Sequence, residues 1–158
     1  MFKFITVAVG GTFDVIHKGH MTLFDKAFSI SKHVIIGLTS DKFIKQKNKH
    51  VLHNYNMRYI MLKHVLYANF PDKFYTIYKI DDNFGPTLYY KDLDALVVSN
   101  DTQNIGYEIN HTRRKNGLHD LEIIIMPIIM AVDNKPISST RIRNSEIDNN
   151  GNLNVINK

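Results

Sequence analysis

The sequence predicts a single doubly wound α/β domain, in which helices flank a five-stranded parallel sheet. Apolar runs rich in β-branched residues recur along the 158 residues, and segments with the helical spacing of apolar residues separate them. Two runs, "VIIGL" and "EIIIM", are continuously apolar, which is typical of strands that helices cover on both faces. A chain of this length most often forms one domain.

The predicted strands and helices alternate along the chain. The strands cover residues 4–9, 33–38, 74–80, 95–98 and 121–126, and the helices cover residues 19–31, 55–70, 104–116 and 138–144. Gly117 is a usual helix stop, and the serines after Pro136 are good helix N-caps. The order βαβαβ followed by βαβα predicts right-handed crossovers and a Rossmann-like sheet. In the common order of such a sheet, the fourth strand lies beside the first.

The chain divides into a domain and a short tail. We predict that residues 1–148 form the domain and that residues 149–158 form a polar tail. The segment "IDNNGNLNVINK", residues 147–158, is rich in asparagine, and we expect it to be loosely held. The sequence leaves the oligomeric state open.

The composition excludes several classes of protein. Cysteine is absent, so the chain has no disulfide framework, thiolate nucleophile or Cys-ligated zinc, as expected for a cytoplasmic protein. Because no apolar run reaches the roughly 18 residues of a membrane span, we expect no membrane partner. The net charge of +5 would suit nucleic acid, acidic lipid or a polyanionic small molecule. Of these we expect the small molecule, and no nucleic-acid partner. The cluster of Lys42, Lys45, Lys47 and Lys49 is equally compatible with a solvated face.

Polar loops follow the first, fourth and fifth predicted strands. Their sequences are "GGTFDVIHKGH", "SNDT" and "PISSTRIR". Ligands of a doubly wound sheet bind beyond the carboxyl ends of its strands, near the point where the winding reverses. We therefore expect these three loops to meet around one ligand.

The first loop has the residues of a phosphate site. Gly10 and Gly11 remove side chains where the strand ends, so an anion can approach backbone N–H groups. His17 and His20 lie at the predicted start of a helix, where imidazole N–H groups and the helix dipole can act on one phosphate. A protein-ligated metal is disfavoured, because two histidines and Asp14 are a poor zinc set. An ordinary tight turn and a pair of surface histidines remain open alternatives.

The last loop has a similar composition. Ser138, Ser139 and Thr140 supply hydroxyl groups at a second helix start, and Arg141 and Arg143 supply positive charge. Two such clusters around one crevice suit a triphosphate, although this segment alone is also compatible with a simple helix cap. The sequence contains no G-x-G-x-x-G, P-loop or G-x-S-x-G pattern, so dinucleotide hydride chemistry, a Walker-type ATPase and a serine hydrolase are not indicated.

These motifs resemble those of the nucleotidylyltransferase superfamily, which carries a T/H-x-G-H motif and a late I-S-S-T motif. Here they are "HKGH" and "ISSTRIR", and the resemblance extends over residues 3–148. The stretches "VIIGLTSDKFIKQK", "IDDNFGPTLYYKDLDALVVSNDT" and "LEIIIMP" are similar to the archaeal-type phosphopantetheine adenylyltransferases. This resemblance implies that ATP and 4′-phosphopantetheine react to give dephospho-coenzyme A and pyrophosphate, in coenzyme A biosynthesis. It also implies Mg²⁺ that accompanies ATP and a reaction without a covalent enzyme intermediate.

The resemblance assigns roles to residues of the motifs. It implies that His20 stabilises charge at the α-phosphate in the transition state and that Thr12 aligns the nucleophile with ATP, which makes these the expected catalytic residues. Thr12 and Lys42 are the expected contacts of the acceptor substrate, with Lys45 as a rival of Lys42. The expected ATP-binding residues are Gly11, Thr12, Phe13, His17, His20, Glu108, Ser138, Ser139, Thr140 and Arg141. Asp14 is expected to brace the loop instead of acting as a base.

The sequence departs from the bacterial branch of this family after the fourth strand. Where that branch has an Arg-Gly-x-Arg segment, this chain has "SNDT", so another group has to contact the acceptor's phosphate. Arg113 and Arg114 are candidates. Other acceptors remain as alternatives: adenylyl transfer to FMN or nicotinamide mononucleotide, and cytidylyl transfer to glycerol 3-phosphate. A nucleotide- or RNA-binding protein without turnover is the alternative of a different class.

Overall fold

All five apolar runs of the sequence form strands, and the strands pair into one sheet. A computed structural model describes residues 1–155 of the chain. The strands are β1 (Phe4–Gly11), β2 (Ser31–Thr39), β3 (Phe74–Ile80), β4 (Ala95–Ser99) and β5 (Glu122–Met126). The helices are α1 (Lys18–Ile30), α2 (Asp41–Gln46), α3 (Tyr55–Asn69), α4 (Gln103–Lys115) and α5 (Ser139–Arg143), and Gly85–Leu88 forms a 3-10 turn. None of these helices is long and apolar enough to cross a membrane.

The strand order is β3-β2-β1-β4-β5, and every pair of neighbours is parallel. From β1 the chain adds β2 and β3 on one side and then returns to place β4 on the other side, with Val7 opposite Ala95. The winding direction therefore reverses between β1 and β4, which opens a crevice beyond their carboxyl ends. The predicted doubly wound five-stranded sheet is confirmed, including the fourth strand beside the first.

Alternate residues of β1 face two separate cores. Val7 and Val9 pack with phenylalanine side chains of α1 and leucine side chains of α3 on one face of the sheet. Ala8 packs on the opposite face with Ile109 of α4. Each of these side chains is nearly inaccessible to water, and burying a valine, leucine, isoleucine or phenylalanine side chain contributes about 1.5–3 kcal/mol. Because both faces are covered, the strands are continuously apolar in sequence.

Helix α2 lies within the segment whose lysines we had interpreted as a possible solvated face. Ser40 caps this helix, since its Oγ accepts a hydrogen bond from the Phe43 N–H at 3.1 Å. Phe43 and Ile44 are buried, whereas Lys42 and Lys45 are exposed. The helix has six residues, which are too few for a periodic apolar pattern to indicate it from sequence.

The expectation of a loosely held C-terminal segment is wrong as far as Asn154, whose N–H donates to the Glu146 carbonyl at 3.1 Å. The carbonyl of Asn149 accepts a hydrogen bond from the Lys18 N–H at 3.0 Å, and the Asn149 side chain donates one to the Ile16 carbonyl at 3.2 Å. The segment thus pairs with a backbone N–H in the first turn of α1, which a helix cannot satisfy internally. Residues 156–158 lie outside the described part of the chain.

The C-terminal segment is held because it forms a turn. Hydrogen bonds between polar residues close this turn, and a buried apolar residue anchors it to the domain. The Asp148 carboxylate accepts hydrogen bonds from the N–H groups of Asn150 and Asn152, each at 2.9 Å. Ile147 is 1% exposed and belongs to a small apolar cluster beside α5. The asparagine-rich composition therefore shapes a turn that packs on the domain. The predicted boundary after Asp148 falls within this turn and stays a prediction.

Gly151 tests the packing of this segment. Its φ is +85°, and an added Cβ would lie 2.7 Å from the Ile137 side chain and 2.9 Å from the Ala131 backbone. We expect Gly151→Ala to lower the free energy of unfolding by about 2–3 kcal/mol, because left-handed strain and overpacking add together. Gly117→Ala is the matched control: its φ is +71° with nothing within 4 Å, so a loss of only about 1 kcal/mol is expected. Urea unfolding measures both losses, and equal values would contradict a packed segment.

Candidate functional site

A cavity of about 820 Å³ lies beyond the carboxyl ends of β1 and β4, where the winding reverses. Residues of all three polar loops line it, so their expected convergence is confirmed. The lining residues from these loops include Gly11, Thr12, Phe13, Asp14, His17, His20, Ser99, Asp101, Thr102, Ser138, Ser139, Thr140 and Arg143. A volume of this size is typical of a site for a small organic ligand or cofactor.

The ring of Phe13 holds the loop after β1 against the core. An added Cβ on Gly11 would lie 2.8 Å from this ring, so the second glycine of the loop allows a close approach. Phe13 is 1% exposed and has a φ of +48°, in the left-handed region that favours glycine. Its ring contacts His20 and Phe24, both at centroid distances of 5.2 Å. The loop thus holds backbone strain that core packing offsets.

His17 and His20 lie at the start of α1 and stack with ring centroids 3.9 Å apart. His17 is the N-cap, and its Nδ1 accepts a hydrogen bond from the Gly19 N–H at 3.1 Å. The Nδ1 of His20 accepts one from the His17 N–H at 3.3 Å. Because both Nδ1 atoms are acceptors, we assign each ring the tautomer with its proton on Nε2. Each ring can then donate an Nε2–H to an oxygen of a bound ligand.

Both imidazoles are neutral at physiological pH. Burial lowers the pKa of His17 to about 4, and burial together with the neighbouring His17 lowers the pKa of His20 to about 3. The pair therefore supplies hydrogen-bond donors without positive charge. The N-terminus of α1 supplies a favourable electrostatic potential for an anion at the same place.

Asp14 braces the loop, as we predicted, through a buried carboxylate. The residue is 2% exposed and accepts hydrogen bonds from the Leu52 N–H at 2.8 Å and the His53 N–H at 3.0 Å. Its oxygens also lie 3.0 Å from the His53 ring and 3.4 Å from the Arg143 guanidinium. Asp14 therefore connects the loop after β1 with the segment before α3 and with α5. With its oxygens occupied in this way, it is poorly placed to accept a proton from a substrate.

Three hydroxyl side chains of the last loop line the cavity. Ser138 caps α5, and its Oγ accepts from a backbone N–H of that helix at 3.3 Å. Ser139 donates from its Oγ to the Val15 carbonyl at 3.2 Å, which attaches α5 to the loop after β1. Thr140 accepts at its Oγ1 from the Arg143 guanidinium at 3.1 Å. The two expected phosphate-binding segments are therefore joined by direct contacts.

The two arginines of the last loop occupy different positions. Arg141, which the resemblance assigns to ATP, lies outside the cavity lining, and its guanidinium pairs with Asp133 at 2.6 Å and Glu146 at 3.0 Å. Arg143 does line the cavity. Residues two apart on a helix lie on different faces, so only one of the two arginines can face the ligand. The structure brings Arg143 to the cavity in place of Arg141.

The lysines around α2 are all exposed, but only two of the four line the cavity. Lys42 and its rival Lys45 do not line the cavity, whereas Lys47 and Lys49 do. Lys47 donates to the Asn83 side chain at 2.7 Å, which places its ammonium group next to the turn after β3. Lys42 and Lys45 lie within α2, whereas Lys47 is its C-cap and Lys49 follows it, and the sequence did not reveal where this helix ends. Lys47 and Lys49 are therefore site residues that sequence reasoning missed.

Three other candidates lie away from the cavity lining. Glu108 is exposed on α4. Desolvation and the charge of Lys49 lower the pKa of Lys47, and the charge of Glu108 opposes them, so Glu108 acts electrostatically near the cavity. Arg113 is fully buried and bonded to backbone carbonyls, and Arg114 forms an exposed ion pair. Neither arginine is placed to contact a phosphate in the cavity.

A buried residue beneath the site also escaped prediction. The Arg58 side chain of α3 is fully buried, and Nη1 donates to the Thr12 carbonyl at 2.9 Å and the Thr39 carbonyl at 2.8 Å. The Oγ1 of Thr12 accepts from the Oγ1 of Thr39 at 3.2 Å. Thr12 is therefore held through both its carbonyl and its hydroxyl. A single arginine on an otherwise ordinary helix carries no sequence signal of burial, because arginine is usually exposed.

Comparison with known proteins finds similar chains. A family profile described as cytidylyltransferase-like matches residues 8–145. The chain is 41% identical over 151 residues to the phosphopantetheine adenylyltransferase of Methanothermobacter thermautotrophicus, which covers 96% of this chain and 90% of that protein. It is 44% identical over 150 residues to the protein of the same name from Methanosarcina acetivorans, over 93% of this chain and 94% of that protein. A crystal structure of a protein of unknown function from Archaeoglobus fulgidus matches with a TM-score of 0.70 and 29% identity, over 77% of this chain and 89% of that chain.

His17 and His20 contribute to the pH dependence of stability, together with His33, whose pKa burial also lowers. The pKa of each is lower in the folded protein than the ordinary value of 6.5. Folding therefore favours the neutral form, and this contribution is full above pH 6.5 and is lost as the pH falls toward 4 for His17 and 3 for His20. Within that window we expect the free energy of unfolding to fall by about 1 kcal/mol per pH unit for each group.

His20→Gln checks this pH dependence, because it removes one of the three histidines whose pKa is lowered in the folded protein. Urea unfolding between about pH 7 and pH 5 should show a smaller slope than in the wild-type protein, by up to about 1 kcal/mol per pH unit. His64→Gln, at an exposed position on α3, is the control and should leave the slope as it is in the wild type. An unchanged slope in His20→Gln would contradict a buried neutral imidazole at this position.

Proposed function

We propose a function from this premise: the chain belongs to the cytidylyltransferase-like family and, within it, to the phosphopantetheine adenylyltransferases. It is a nucleotidyltransferase that transfers the adenylyl group of ATP to 4′-phosphopantetheine, with dephospho-coenzyme A and pyrophosphate as products, in coenzyme A biosynthesis. The observation that carries this chemistry is that His17, His20 and the hydroxyl groups of residues 138–140 line one cavity. Similarity to proteins of that name over more than nine-tenths of the chain supports the acceptor.

In the proposed reaction, an oxygen of the acceptor's 4′-phosphate attacks the α-phosphorus of ATP. A new P–O bond forms while the bond from the α-phosphorus to the α,β-bridging oxygen breaks, and pyrophosphate leaves with the electron pair. The attacking phosphate monoester has a second pKa of about 6, so it is already a dianion near neutral pH and needs no general base. The protein's task is to align two polyanions and to stabilise the charge that develops at the α-phosphate.

His20 and Thr12 are the proposed catalytic residues. The His20 Nε2–H is assigned to an α-phosphate oxygen, where a neutral donor held by the backbone stabilises charge in the transition state. The Thr12 hydroxyl, which Thr39 positions at 3.2 Å, and the Phe13 N–H are assigned to the phosphates of the two substrates. His17, stacked on His20, is assigned to the phosphate chain of ATP.

The β- and γ-phosphates of ATP, and later the pyrophosphate, are assigned to the last loop. Ser138, Ser139 and Thr140 line the cavity with hydroxyl groups that can donate to phosphate oxygens. Arg143 is the arginine of this loop at the cavity, so we assign it the charge-assisted contact. Arg141 stays a prediction for the same contact, and its ion pairs with acidic residues hold α5 in place.

Lys47 and Lys49 are the proposed contacts of the acceptor's phosphate, because they line the cavity and carry its positive charge on the side of β2. Lys42 stays a prediction for this contact. Glu108 likewise stays a prediction as a residue near the nucleotide. Gly11 lines the cavity and stays a prediction as an ATP contact, although the ring of Phe13 fills the space that its missing side chain leaves.

Mg²⁺ enters the proposal as part of the substrate, bound to the phosphates of ATP. Among residues 1–155, no three or more histidine or acidic side chains cluster closely enough to form a metal site of their own. The described residues that line the phosphate end of the cavity are mainly donors, which suit the phosphate oxygens that the metal leaves uncoordinated. A cytoplasmic location stays a prediction.

Pyrophosphate release with a panel of acceptors tests the proposed function. ATP and Mg²⁺ are supplied with 4′-phosphopantetheine, FMN, glycerol 3-phosphate or nicotinamide mononucleotide, and the series is repeated with CTP. We expect release only with ATP and 4′-phosphopantetheine. Release with a different pair would support nucleotidyl transfer in this cavity and show that the proposed substrates are wrong. If no pair releases pyrophosphate, the proposal that the protein is an enzyme is wrong, and salt-dependent binding of RNA is the next property to test.

Lys47→Ala and Lys42→Ala separate the two assignments of the acceptor's phosphate. We expect Lys47→Ala to raise the KM for 4′-phosphopantetheine about tenfold, since a hydrogen bond to a charged group contributes about 1.5–3 kcal/mol. Lys42→Ala makes the same change of charge at an exposed position outside the cavity lining and should change KM less than about twofold. A larger increase in KM for Lys42→Ala than for Lys47→Ala would show that Lys42 makes the contact with the acceptor's phosphate.

A further inference from the structure

Arg58 joins four segments beneath the cavity through one planar group. Its Nη1 donates to the Thr12 carbonyl at 2.9 Å and the Thr39 carbonyl at 2.8 Å. Its Nη2 pairs with Asp41 at 2.9 Å, and its Nε donates to the His53 carbonyl at 3.1 Å. The guanidinium thereby connects the ends of β1 and β2 with the start of α2 and the segment before α3. A lysine ammonium lacks this fixed fork and cannot reproduce the four contacts.

The hydrogen bond to the Thr12 carbonyl also sets the direction of the next N–H. No cis peptide bond occurs among the described residues, and in a trans peptide the C=O and N–H groups point to opposite sides. Because the carbonyl points to Arg58, the Phe13 N–H points away from Arg58. Phe13 lines the cavity, and Arg58 does not. Within residues 1–155 this N–H donates to no protein acceptor, so it is available to an oxygen of a ligand.

The backbone at Phe13 depends on anchors on both sides. A φ of +48° is unfavourable for a residue with a Cβ, because the Cβ crowds the neighbouring carbonyl. The buried ring of Phe13 fixes one side of the residue, and Arg58 fixes the carbonyl of the preceding residue. Without Arg58, the Thr12–Phe13 peptide can relax toward an ordinary conformation, which turns the N–H from its present direction.

We propose that Arg58 is a positioning residue of the transfer reaction: it holds the Thr12–Phe13 peptide so that the Phe13 N–H donates to a phosphate oxygen of the bound nucleotide. This role rests on the proposed function, although it requires only that a nucleotide phosphate binds at the loop after β1. A charged donor on the carbonyl also polarises the peptide group, which strengthens its N–H as a donor. Arg58 contacts no reacting atom and acts through the peptide.

Arg58→Lys tests this role, with Arg113→Lys as the matched control. Both arginines are fully buried and donate to backbone carbonyls, but those of Arg113 belong to Thr87, Tyr90 and His119, none of which is in the loop after β1. The amide signal of Phe13 is followed by NMR during titration with MgATP, and kcat and KM are measured from pyrophosphate release. We expect the Phe13 amide proton to shift downfield on ATP binding in the wild type and in Arg113→Lys.

In Arg58→Lys we expect that shift to be lost and kcat to fall about 100-fold, the usual effect of a misplaced catalytic group. Arg113→Lys should keep kcat within about twofold when corrected for folded protein. A Phe13 amide that responds to ATP in Arg58→Lys as in the wild type would overturn the proposal. Equal losses of kcat in the two lysine variants would also overturn it, because both results indicate general support of the fold.

The titration separates this role from the choice of acceptor, because it uses ATP alone. If the wild-type protein is inactive with 4′-phosphopantetheine but shows the Phe13 shift with ATP, the proposed function is wrong and the proposed role of Arg58 still stands. If Arg58→Lys does not fold, Asp41→Asn replaces it, since this change neutralises the exposed carboxylate that accepts from Nη2 and from the Tyr55 N–H at 3.0 Å. A weaker Phe13 shift with a several-fold lower kcat supports the proposal, and wild-type values for both overturn it.

Discussion

Buried charge within and beneath the loop after β1 is the constraint on which the site depends. Arg58 and Asp14 are both buried, and a buried charge is costly unless hydrogen bonds satisfy its donors or acceptors. Arg58 donates mainly to the carbonyls of Thr12 and Thr39, and Asp14 accepts from N–H groups of the segment before α3. Because neither ion can move without losing these partners, the loop keeps its shape before a ligand arrives. Transfer at phosphorus relies on this kind of preorganisation.

The cavity separates positive charge from neutral hydrogen-bond donors. Lys47, Lys49 and Arg143 supply positive charge, which attracts two polyanionic substrates and offsets their mutual repulsion. His17 and His20 are neutral instead, and a backbone N–H fixes each ring through its Nδ1. A fixed neutral donor recognises where an oxygen lies, and its hydrogen bond strengthens as charge develops on that oxygen. In the proposed reaction, the charges therefore serve binding, and the histidines serve the transition state.

Local patterns made the fold predictable, whereas tertiary contacts decided the features that sequence reasoning missed. Continuous apolar strands require two covered faces, and the winding rule then places the polar loops around one crevice. The pairing of His17 and His20 could be predicted from their spacing because the two residues lie within one helical turn of each other. The choice of Lys47 over Lys42 depends on a helix too short to show a period. The contact of Arg58 could not be predicted from the sequence, because the Thr12 carbonyl to which it donates lies 46 positions away in the chain.

In the proposed reaction, a neutral Nε2–H at the start of α1 stabilises the transition state, and kcat in variants of His20 measures that stabilisation. The ATP dissociation constant is measured alongside kcat for His20→Ala and His20→Gln. We predict that His20→Ala lowers kcat by about 100-fold or more while ATP binding changes little, as for a lost transition-state donor. His20→Gln, whose amide N–H can approach the Nε2 position, should retain more of the wild-type rate. Unchanged kcat in His20→Ala would contradict the claim and remove His20 from the catalytic step.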